Sequence, residues 1–354
     1  MYVQSSYSMD LFNQEVLDRI IQIKRQRQIV TDVHYWRRLN PECSVTDNPF
    51  PESPTPYHIS PDEMEEHMRH IRKEGYFQTS PVVDLAEMDV LRQCIATVVS
   101  HGHPATYALI YDEFYHVMAK LANVLSPLLG PDFQLVPDEY EAYYIPQDDS
   151  AVGTRPHRDS LRTGTSIQPD GTPTLVNVWI PLTDATTLNS CMYVLPAHLD
   201  QHYPRSKEGV VATRSSPDVI DLRPKELQNI RALPAQAGCV LCWSTHLLHW
   251  GARSSQYATH PRISFATYYQ SRRVPPYHEV TMDIPSPLPF EYRLRLIEKK
   301  WSRTRRPLPH LTPKRYKSCW SWSIPATTLR ARDPTFLKQP SGRTAEWAGQ
   351  RADE

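Results

Sequence analysis

The stretch AGCVLCWSTHLLHWGARSSQYATHPRISFATYYQ, residues 237–270, decides the fold of this chain. Cys239 to Trp243 is a short apolar run, and Ile263 to Tyr269 is rich in β-branched and aromatic residues, as strands are. Gly251 lies between the two runs at a point where the chain can turn. The pattern predicts two β-strands joined by a segment that contains His249.

Three segments upstream also have the composition of strands and lack helical spacing. They are Phe133 to Ile145, Thr174 to Leu182 (TLVNVWIPL) and Cys191 to Leu195. Helical patterns precede them at residues 9–30, 61–75, 85–99 and 111–127, and a last helix begins near Phe290. Helices followed by strands predict an α+β fold, in which a β-sandwich or barrel core carries helices on one side.

The helix over residues 61–75 has the clearest boundaries. Ser60 is a good N-cap, Pro61 suits the first helical position, and Glu63 stands at the third. Gly75 fits the C-terminal stop. The proline-rich segment from Pro41 to Pro61 is expected to pack against the domain surface without regular structure.

Composition limits the classes of function. The chain of 354 residues has 39 Lys or Arg and 39 Asp or Glu, so its charge gives no argument for nucleic acid or a membrane. No segment approaches the roughly 20 apolar residues of a membrane span, and no signal peptide is visible. Six cysteines do not suggest a disulfide scaffold, and Cys239 and Cys242 are interpreted as core residues. A cytoplasmic protein is expected.

An HxD motif at His157 and Asp159 is followed about ninety residues later by His249. Residues two apart on a strand point to the same side, so His157 and Asp159 can face one point while Arg158 faces away. Two histidines and one carboxylate can occupy one face of an octahedral Fe(II) and leave three positions open. The motif predicts a metal site of His157, Asp159 and His249. His246 is the alternative for the distal histidine, and we expect it to be structural.

Arg262 stands at the start of the last predicted strand. Its planar guanidinium can bind a carboxylate through two parallel hydrogen bonds, as the distal end of 2-oxoglutarate requires. Side chains alternate along a strand, so Ser264 shares a face with Arg262 and is assigned to the same cosubstrate site.

Substrate contacts are predicted for four residues on strands that are expected to face the interior in part: Tyr144, Asn177, Ile263 and Phe265. Core packing is the competing interpretation for each of them. Ile263 and Phe265 share the face opposite to Arg262 and Ser264, and both faces cannot point inward at the same depth.

The string from His157 through TLVNVWIPLTDATTLNSCMYVLPAHLD to residue 270 resembles the phytanoyl-CoA dioxygenase family of Fe(II)/2-oxoglutarate oxygenases, over roughly residues 135–272. By this resemblance Trp179 matches the tryptophan that lines the cosubstrate site, and His249 the distal histidine of the metal site. Three positions depart from the family pattern and bear on the shape of the entrance and substrate pocket: Ser190 and Ala197 where glycine is usual, and the inserted Trp250.

The resemblance implies a double-stranded β-helix (jelly-roll, cupin-like) core with N-terminal helices packed on one sheet. It implies an oxidoreductase, an Fe(II)/2-oxoglutarate-dependent dioxygenase that hydroxylates, desaturates or cyclises a small molecule with molecular oxygen. Ascorbate is expected to support the iron. Asp159 argues against halogenation, because halogenating relatives have a small residue there. A role in specialised metabolism is the preferred expectation.

Four parts are expected along the chain: residues 1–80 as an N-terminal helical region with the proline-rich connection, 81–275 as helices plus catalytic core, 276–304 as a C-terminal helix, and 305–354 as a basic, disordered tail. Ten Lys or Arg and no acidic residue lie from Lys299 to Arg332. We interpret this tail as solvated and expect no nucleic-acid partner. The sequence leaves the oligomeric state open.

Three other functions stay open at this point. They are a catalytically inactive binding protein on the same fold, a non-iron metal hydrolase, and a nucleic-acid demethylase that uses the tail. Arg262 speaks against the first two, because neither a vestigial site nor a hydrolase needs it. Fe(II) binding would exclude the inactive binding protein and dependence on 2-oxoglutarate the hydrolase, whereas deletion of residues 305–354 should destroy activity if the protein is a demethylase.

Overall fold

The computed structural model describes residues 28–159, 167–203, 224–277 and 281–304. Its helices are α1 (Val33–Leu39), α2 (Pro61–Glu74), α3 (Leu85–Ser100), α4 (Asp112–Lys120), α5 (Ala122–Leu129), α6 (Pro224–Leu227) and α7 (Phe290–Thr304), with 3-10 turns at Ala105–Ile110 and Ala197–Leu199. Its strands are β1 (Tyr76–Gln78), β2 (Gln134–Ile145), β3 (Leu175–Pro181), β4 (Met192–Leu195), β5 (Arg231–Leu233), β6 (Leu241–Ser244), β7 (Leu248–Gly251), β8 (Arg262–Gln270) and β9 (Met282–Asp283).

The strands form two sheets. The major sheet has the order β1-β6-β3-β8-β2-β9 and the minor sheet the order β5-β4-β7. Every pairing in them is antiparallel, and most neighbours are distant in sequence. This crossing pattern is that of a double-stranded β-helix, or jelly roll. The predicted α+β fold class is confirmed.

The two faces of the major sheet are both covered. On one face Val178, Ile180 and Phe265 pack against the helices in a helix-side cluster. On the other face Trp179 and Ala266 join residues of the minor sheet in an inter-sheet cluster. All seven residues of β3 are therefore buried, which explains why its sequence is a continuous apolar run and not an alternating one.

The cysteines of the CxxC are core residues, as predicted. Both are buried free thiols, with Cys242 in the helix-side cluster and Cys239 in the inter-sheet cluster. Each thus packs on a different face of the major sheet, so the pair has no common metal to hold.

Helix α2 has the boundaries that the sequence predicts. The Ser60 hydroxyl accepts a hydrogen bond from the backbone N–H of Glu63 at 3.1 Å, and Pro61 is the first helical residue. Gly75 ends the helix with φ of 82°, a left-handed conformation that glycine adopts without a steric penalty. Met64, Met68 and Ile71 point from α2 into the helix-side cluster.

Other helices differ from the predictions. The single helix expected over residues 111–127 is two helices that break at Leu121, and the second continues through Pro127 to a C-cap at Gly130. One proline near the end of a short helix removes a single intrahelical bond, and the buried Leu125, Leu128 and Leu129 hold the turn in place. Helix α1 has no counterpart among the predicted elements.

Two predicted segments fall on parts of the chain without a description. Of the helix expected over 9–30, residues 28–30 are helical and residues 1–27 lie outside the described residues. The basic segment 305–354 also lies outside them. Among the helices that are described, none combines the length and the apolarity needed to cross a membrane.

Candidate active site

Three side chains from two separate segments meet between the two sheets. His157 and His249 exchange backbone hydrogen bonds, each N–H donating to the other's carbonyl oxygen at 3.0 Å. Asp159 Oδ1 lies 3.3 Å from His157 Nε2 and 3.5 Å from His249 Nε2. One candidate ligand atom from each residue lies within 4.8 Å of the others. The expected strand around His157 is corrected to an isolated bridge, yet residues 157 and 159 still face the same point.

Backbone carbonyls orient both imidazole rings. His157 Nδ1 lies 2.7 Å from Arg155 O, and His249 Nδ1 lies 3.0 Å from Leu247 O. A carbonyl oxygen only accepts, so each Nδ1 carries a proton and each Nε2 of a neutral ring presents a lone pair towards Asp159. Metal-binding histidines are oriented in this way. Ligands at right angles about 2.1 Å from an ion are roughly 3 Å apart, so the spacing suits a metal ion.

The protonation states also suit a metal. Burial alone would raise the pKa of Asp159, but His249, His157 and a hydrogen bond from Asn177 hold it well below its usual range. Burial lowers the pKa of His249 to about 4 against the opposing charge of Asp159. Burial also lowers the pKa of His157, but the bond to Asp159 outweighs it and the net shift is upward. The carboxylate is ionised and His249 neutral at pH 7, as metal ligands must be.

Arg158 points away from this cluster, as strand alternation predicts. It donates to the carbonyl oxygen of His246 at 2.6 Å and forms an ion pair of 2.7 Å with the buried Asp200. These contacts fix the turn between β6 and β7, which carries His249. His246 is not in the three-residue cluster, so the structure brings His249 and not His246 to Asp159.

Arg262 is a buried cation in the inter-sheet space, with only 2% of its surface exposed. Its guanidinium lies 5.5 Å from the ring centres of Tyr143 and Trp179, and Nη1 is 3.7 Å from Met192 Sδ. Its Nε has no hydrogen-bond partner in the described part of the chain. Burial lowers the pKa of Arg262 to about 10, so the side chain is still charged at neutral pH. A buried cation without a counter-ion is costly unless an anion binds there.

Ser264 and Trp179 face the same space as Arg262. Ser264 Oγ and Trp179 Nε1 are buried atoms without a hydrogen-bond partner among the described residues. Arg262 touches Met192, which stands on β4 two residues from Val194, the register partner of His249. Two residues of a strand span roughly 7 Å, so the arginine lies about that far along β4 from the position opposite the metal-site histidine.

The four predicted substrate residues are not brought together. Phe265 packs edge-on against Phe114 of α4 at 5.3 Å, and Ile263 and its register partner Tyr144 also pack in the helix-side cluster. Their assignment to the substrate is corrected, because the helices cover the face of β8 to which they point. Asn177 does face the site, where its Nδ2 donates to Asp159 Oδ2 at 3.1 Å.

Two aromatic residues of the site were not assigned to it from the sequence. Tyr143 is the register partner of Ser264 and so lies on the same inward face, which only the pairing of the two strands distinguishes from the face of Tyr144. Trp243 packs against the His249 ring at 4.7 Å, and its Nε1 donates to Asp159 Oδ2 at 3.0 Å. No motif signals this role, because it depends on the pairing of β6 with β3.

Two departures from the family pattern have a structural explanation. Ser190 has φ of 75°, the left-handed region that favours glycine, and its hydroxyl donates to Ala252 O at 2.5 Å. Trp250 alternates with His249 on β7 and stacks on Tyr193 at 5.8 Å. Strand alternation directs this pair away from the inter-sheet space.

A wide groove of about 770 Å³ lies elsewhere, between α2, β1 and the β5 region. Its lining residues include Glu63, His67, Gln78, Asp184 and Gln236. None of the residues predicted for the site lines this groove, so it is not assigned to the candidate site.

Close backbone contact sets the spacing of the two histidine segments. A Cβ on Gly153 would lie 2.6 Å from Gly251 Cα and 2.8 Å from Ser190 Oγ. We therefore expect Gly153→Ala to push the segments of His157 and His249 apart and to cost about 1–3 kcal/mol of unfolding free energy. Metal sites tolerate only ~0.2 Å in ligand distance, so Co(II) affinity measured by calorimetry should fall roughly tenfold or more.

Gly102→Ala is the control for this substitution. Gly102 has φ of 80° and open space around its Cα, so alanine there costs stability through backbone strain alone. This control should leave Co(II) affinity unchanged. Equal Co(II) affinity of the Gly153 and Gly102 variants would contradict the role of the glycine contact.

The site thus combines three residues that could hold a metal ion with a buried arginine whose Nε has no partner among the described residues. Jelly-roll enzymes built in this way form the class of iron- and 2-oxoglutarate-dependent oxygenases. The family model described as phytanoyl-CoA dioxygenase (PhyH) matches residues 62–258 of this chain. The chain belongs to the phytanoyl-CoA dioxygenase family and, with it, to the iron/2-oxoglutarate oxygenase class.

Several solved structures are similar to this chain at low identity. The alpha-ketoglutarate-dependent epimerase SnoN from nogalamycin biosynthesis is 18% identical, covers 60% of this chain and 84% of its own, and has a TM-score of 0.46. The non-heme monooxygenase ThoJ is 17% identical, covers 67% of this chain and 95% of its own, and has a TM-score of 0.48. AviO1 from Streptomyces viridochromogenes Tue57 is 15% identical, covers 62% of this chain and 99% of its own, and has a TM-score of 0.44. No curated protein sequence matches the chain.

Proposed function

We propose that this chain is an Fe(II)/2-oxoglutarate-dependent dioxygenase that oxidises a C–H bond of a small organic molecule. His157, Asp159 and His249 are its metal ligands in this proposal, and Arg262, Ser264 and Trp179 bind the cosubstrate. The observation that carries the proposal is the buried Arg262 guanidinium, whose Nε has no partner among the described residues and which contacts Met192, two residues along β4 from the register partner of His249.

The charges of the residues support a metal site and a dicarboxylate site side by side. When both histidines are neutral, the charges of Asp159 and Arg262 sum to zero. A divalent cation alone would leave two excess positive charges in a buried space, and a dicarboxylate alone two negative ones. Both together restore neutrality, so each should bind more tightly in the presence of the other. A hydrolase of the same ligand set has no need for this second anion site.

The residues of the chain have separate tasks. Arg262 would hold the distal carboxylate through charge-assisted hydrogen bonds, and the unpaired Ser264 hydroxyl can add a further donor. Trp179, Leu241 and Ala266 line the inter-sheet space with apolar surface and exclude water from it. Bound Fe(II) supplies oxygen activation coupled to the oxidative decarboxylation of 2-oxoglutarate to succinate.

The substrate is proposed to be a small molecule, with specialised metabolism as the preferred setting. An untargeted assay addresses both. The protein is incubated with Fe(II), ascorbate and 2-oxoglutarate against a metabolite extract, and products that gain an oxygen atom or lose two hydrogens are sought by mass spectrometry. Metal- and 2-oxoglutarate-dependent succinate release supports the proposal. Catalysis without 2-oxoglutarate would favour a hydrolase, and absence of Fe(II) binding an inactive binding protein.

Arg262→Met tests the cosubstrate site directly. Loss of a charge-assisted hydrogen bond costs about 1.5–3 kcal/mol, so KM for 2-oxoglutarate should rise roughly 10- to 100-fold. The melting temperature of the ligand-free protein should be equal or higher, because an apolar side chain replaces a buried charge that has no counter-ion among the described residues. Initial rates of succinate release at varied 2-oxoglutarate give KM, and a thermal scan of the ligand-free protein gives the melting temperature.

Arg92→Met on α3 is the matched control, since Arg92 is an exposed arginine paired with Asp89. It removes one positive charge and should change neither the KM for 2-oxoglutarate nor the melting temperature. If Arg262→Met lowers the melting temperature and leaves KM unchanged, the arginine is structural and the proposed cosubstrate site is wrong.

A further inference from the structure

The two oxygens of the Asp159 carboxylate have different surroundings. Oδ1 faces the Nε2 atoms of both His157 and His249. Oδ2 instead accepts two hydrogen bonds, from Asn177 Nδ2 at 3.1 Å and from Trp243 Nε1 at 3.0 Å. The carboxylate is 5% exposed, so these donors and not water complete its solvation.

The donors stand in one row across the major sheet. Asn177 on β3 is the register partner of Trp243 on β6 on one side and of Tyr268 on β8 on the other. Two adjacent strands, β3 and β6, thus direct donors at the same carboxylate.

The two donor side chains are held rigidly, and their hydrogen bonds to Oδ2 run in one direction only. The indole N–H of Trp243 can only donate, and the Trp243 ring is fixed against His249. Asn177 and Trp243 are both buried on paired strands. Neither can rotate to follow a moving carboxylate without breaking sheet packing, so Oδ2 is held in place and Oδ1 is left towards the histidines.

We propose that Asn177 and Trp243 are positioning residues that make Asp159 a ligand through one oxygen only. A carboxylate can bind a metal through one oxygen or through two. If Oδ2 were free it could take a second coordination position, and one of the three positions left for cosubstrate and oxygen would be lost. The hydrogen bonds from Asn177 and Trp243 to Oδ2 keep that coordination position open. This inference rests on the metal site of the proposed function.

A purely structural role makes a different prediction. If the donors merely compensate the burial of a carboxylate, their loss should lower stability and leave the metal affinity and coordination unchanged. Metal binding to the folded protein therefore discriminates between the two roles without any measurement of turnover.

The test uses Trp243→Phe and Asn177→Leu in the full chain, with Co(II) as the probe. Asn177→Leu keeps a side chain of similar shape, Trp243→Phe keeps a smaller aromatic ring, and each removes one donor. Loss of an outer hydrogen-bond partner costs roughly 10- to 100-fold in metal affinity, and we expect a calorimetric Kd for Co(II) raised by that factor in each variant. The visible spectrum of the bound Co(II) should change as well, because the coordination of Asp159 changes.

Trp36→Phe is the matched control. Trp36 is also fully buried, and its Nε1 donates to Val30 O at 2.9 Å in the helical layer. This variant should lose stability and keep the wild-type Co(II) Kd and spectrum. Should Trp243→Phe not fold, Asn177→Leu removes the other donor to Oδ2 and carries the test through the same Kd and spectrum.

The outcomes separate this inference from the proposed function. Wild-type protein that binds no Co(II) overturns the metal site and the inference with it. Wild-type protein that binds Co(II), together with variants of unchanged Kd and spectrum, overturns the positioning role alone and leaves the metal site intact.

Discussion

Asp159→Ala is expected to abolish metal-dependent conversion of 2-oxoglutarate to succinate. Asp159 is the only anionic group in the three-residue cluster, so its loss leaves two neutral imidazoles to hold a dication. The affinity for Fe(II) or Co(II) should fall by more than the roughly 10- to 100-fold that an outer partner is worth. Calorimetric titration with Co(II) and succinate release in the presence of Fe(II) measure the two effects.

Loss of the carboxylate also leaves the N–H groups of Asn177 and Trp243 without their acceptor. An unsatisfied buried donor costs about 1–3 kcal/mol, so this variant should also be less stable. Asp159→Asn keeps the shape and an acceptor oxygen and should lose less stability, but it carries no charge and should bind the metal poorly too. If metal affinity depends on the charge of residue 159 while protein stability depends on its shape, Asp159 is a metal ligand.

Two control variants sharpen the result. Asp89→Ala removes an exposed carboxylate from α3 and should change neither metal affinity nor turnover. His246→Gln alters the histidine nearest in sequence to His249 and should keep metal binding, because His246 is outside the cluster. Wild-type metal affinity in a folded Asp159→Ala protein would falsify the metal site. Loss of binding in His246→Gln with normal binding in His249→Gln would shift the distal ligand to His246.

The sequence was sufficient for β2, β3, β4, β6 and β8 and for the meeting of residues 157, 159 and 249, but the short strands β1, β5, β7 and β9 were not predicted. Strand composition, the two-residue spacing and the order of the motifs depend on local chemistry and on the family resemblance. Arg262 and Ser264 were placed on one face by alternation, and the register of β8 agrees with this. The shared face of these two residues is predictable because it is set within one strand, whereas the meeting of His249 with residues 157 and 159 was predicted from the order and spacing of the motifs.

The substrate residues were predicted less well because the faces of a doubly covered sheet look alike in sequence. Both faces of β3 and β8 are buried, so apolar composition does not indicate which side meets the helices and which meets the minor sheet. Tyr143 and Tyr144 illustrate this: they are adjacent and chemically the same, and only the pairing of Tyr143 with Ser264 separates them. The arrangement of Asn177 and Trp243 around Asp159 likewise depends on the order of the strands in the major sheet.

The last helix contains a residue whose importance the sequence did not indicate. Arg293 of α7 is fully buried, and it pairs with the buried Asp112 of α4 at 2.7 Å. It also donates to the carbonyl oxygens of Ile110 and Thr46, and its guanidinium lies over the Tyr115 ring. One side chain therefore ties the C-terminal helix to three segments of the helical layer.

Arg293→Met is expected to lower the free energy of unfolding by about 3–5 kcal/mol, since removing one partner of a buried ion pair leaves the other as an uncompensated charge. The two carbonyl oxygens would lose their donor as well. The shift of the urea midpoint at constant slope measures the change. Adding Asp112→Leu should recover part of the loss, because the variant then buries no unpaired charge. Recovery will be incomplete, since Asp112 also accepts from the backbone N–H of Thr46.

Arg295→Met provides the comparison from the same helix. Arg295 is 71% exposed and pairs only across the surface with Glu291. Exposed pairs contribute little, so this variant should lie within about 0.5 kcal/mol of wild type. The two substitutions are chemically identical and two residues apart, so a difference between them reports burial and pairing alone. Equal urea midpoints for the two variants would show that α7 is held by its apolar face, with Leu294 and Ile297, and not by the buried arginine.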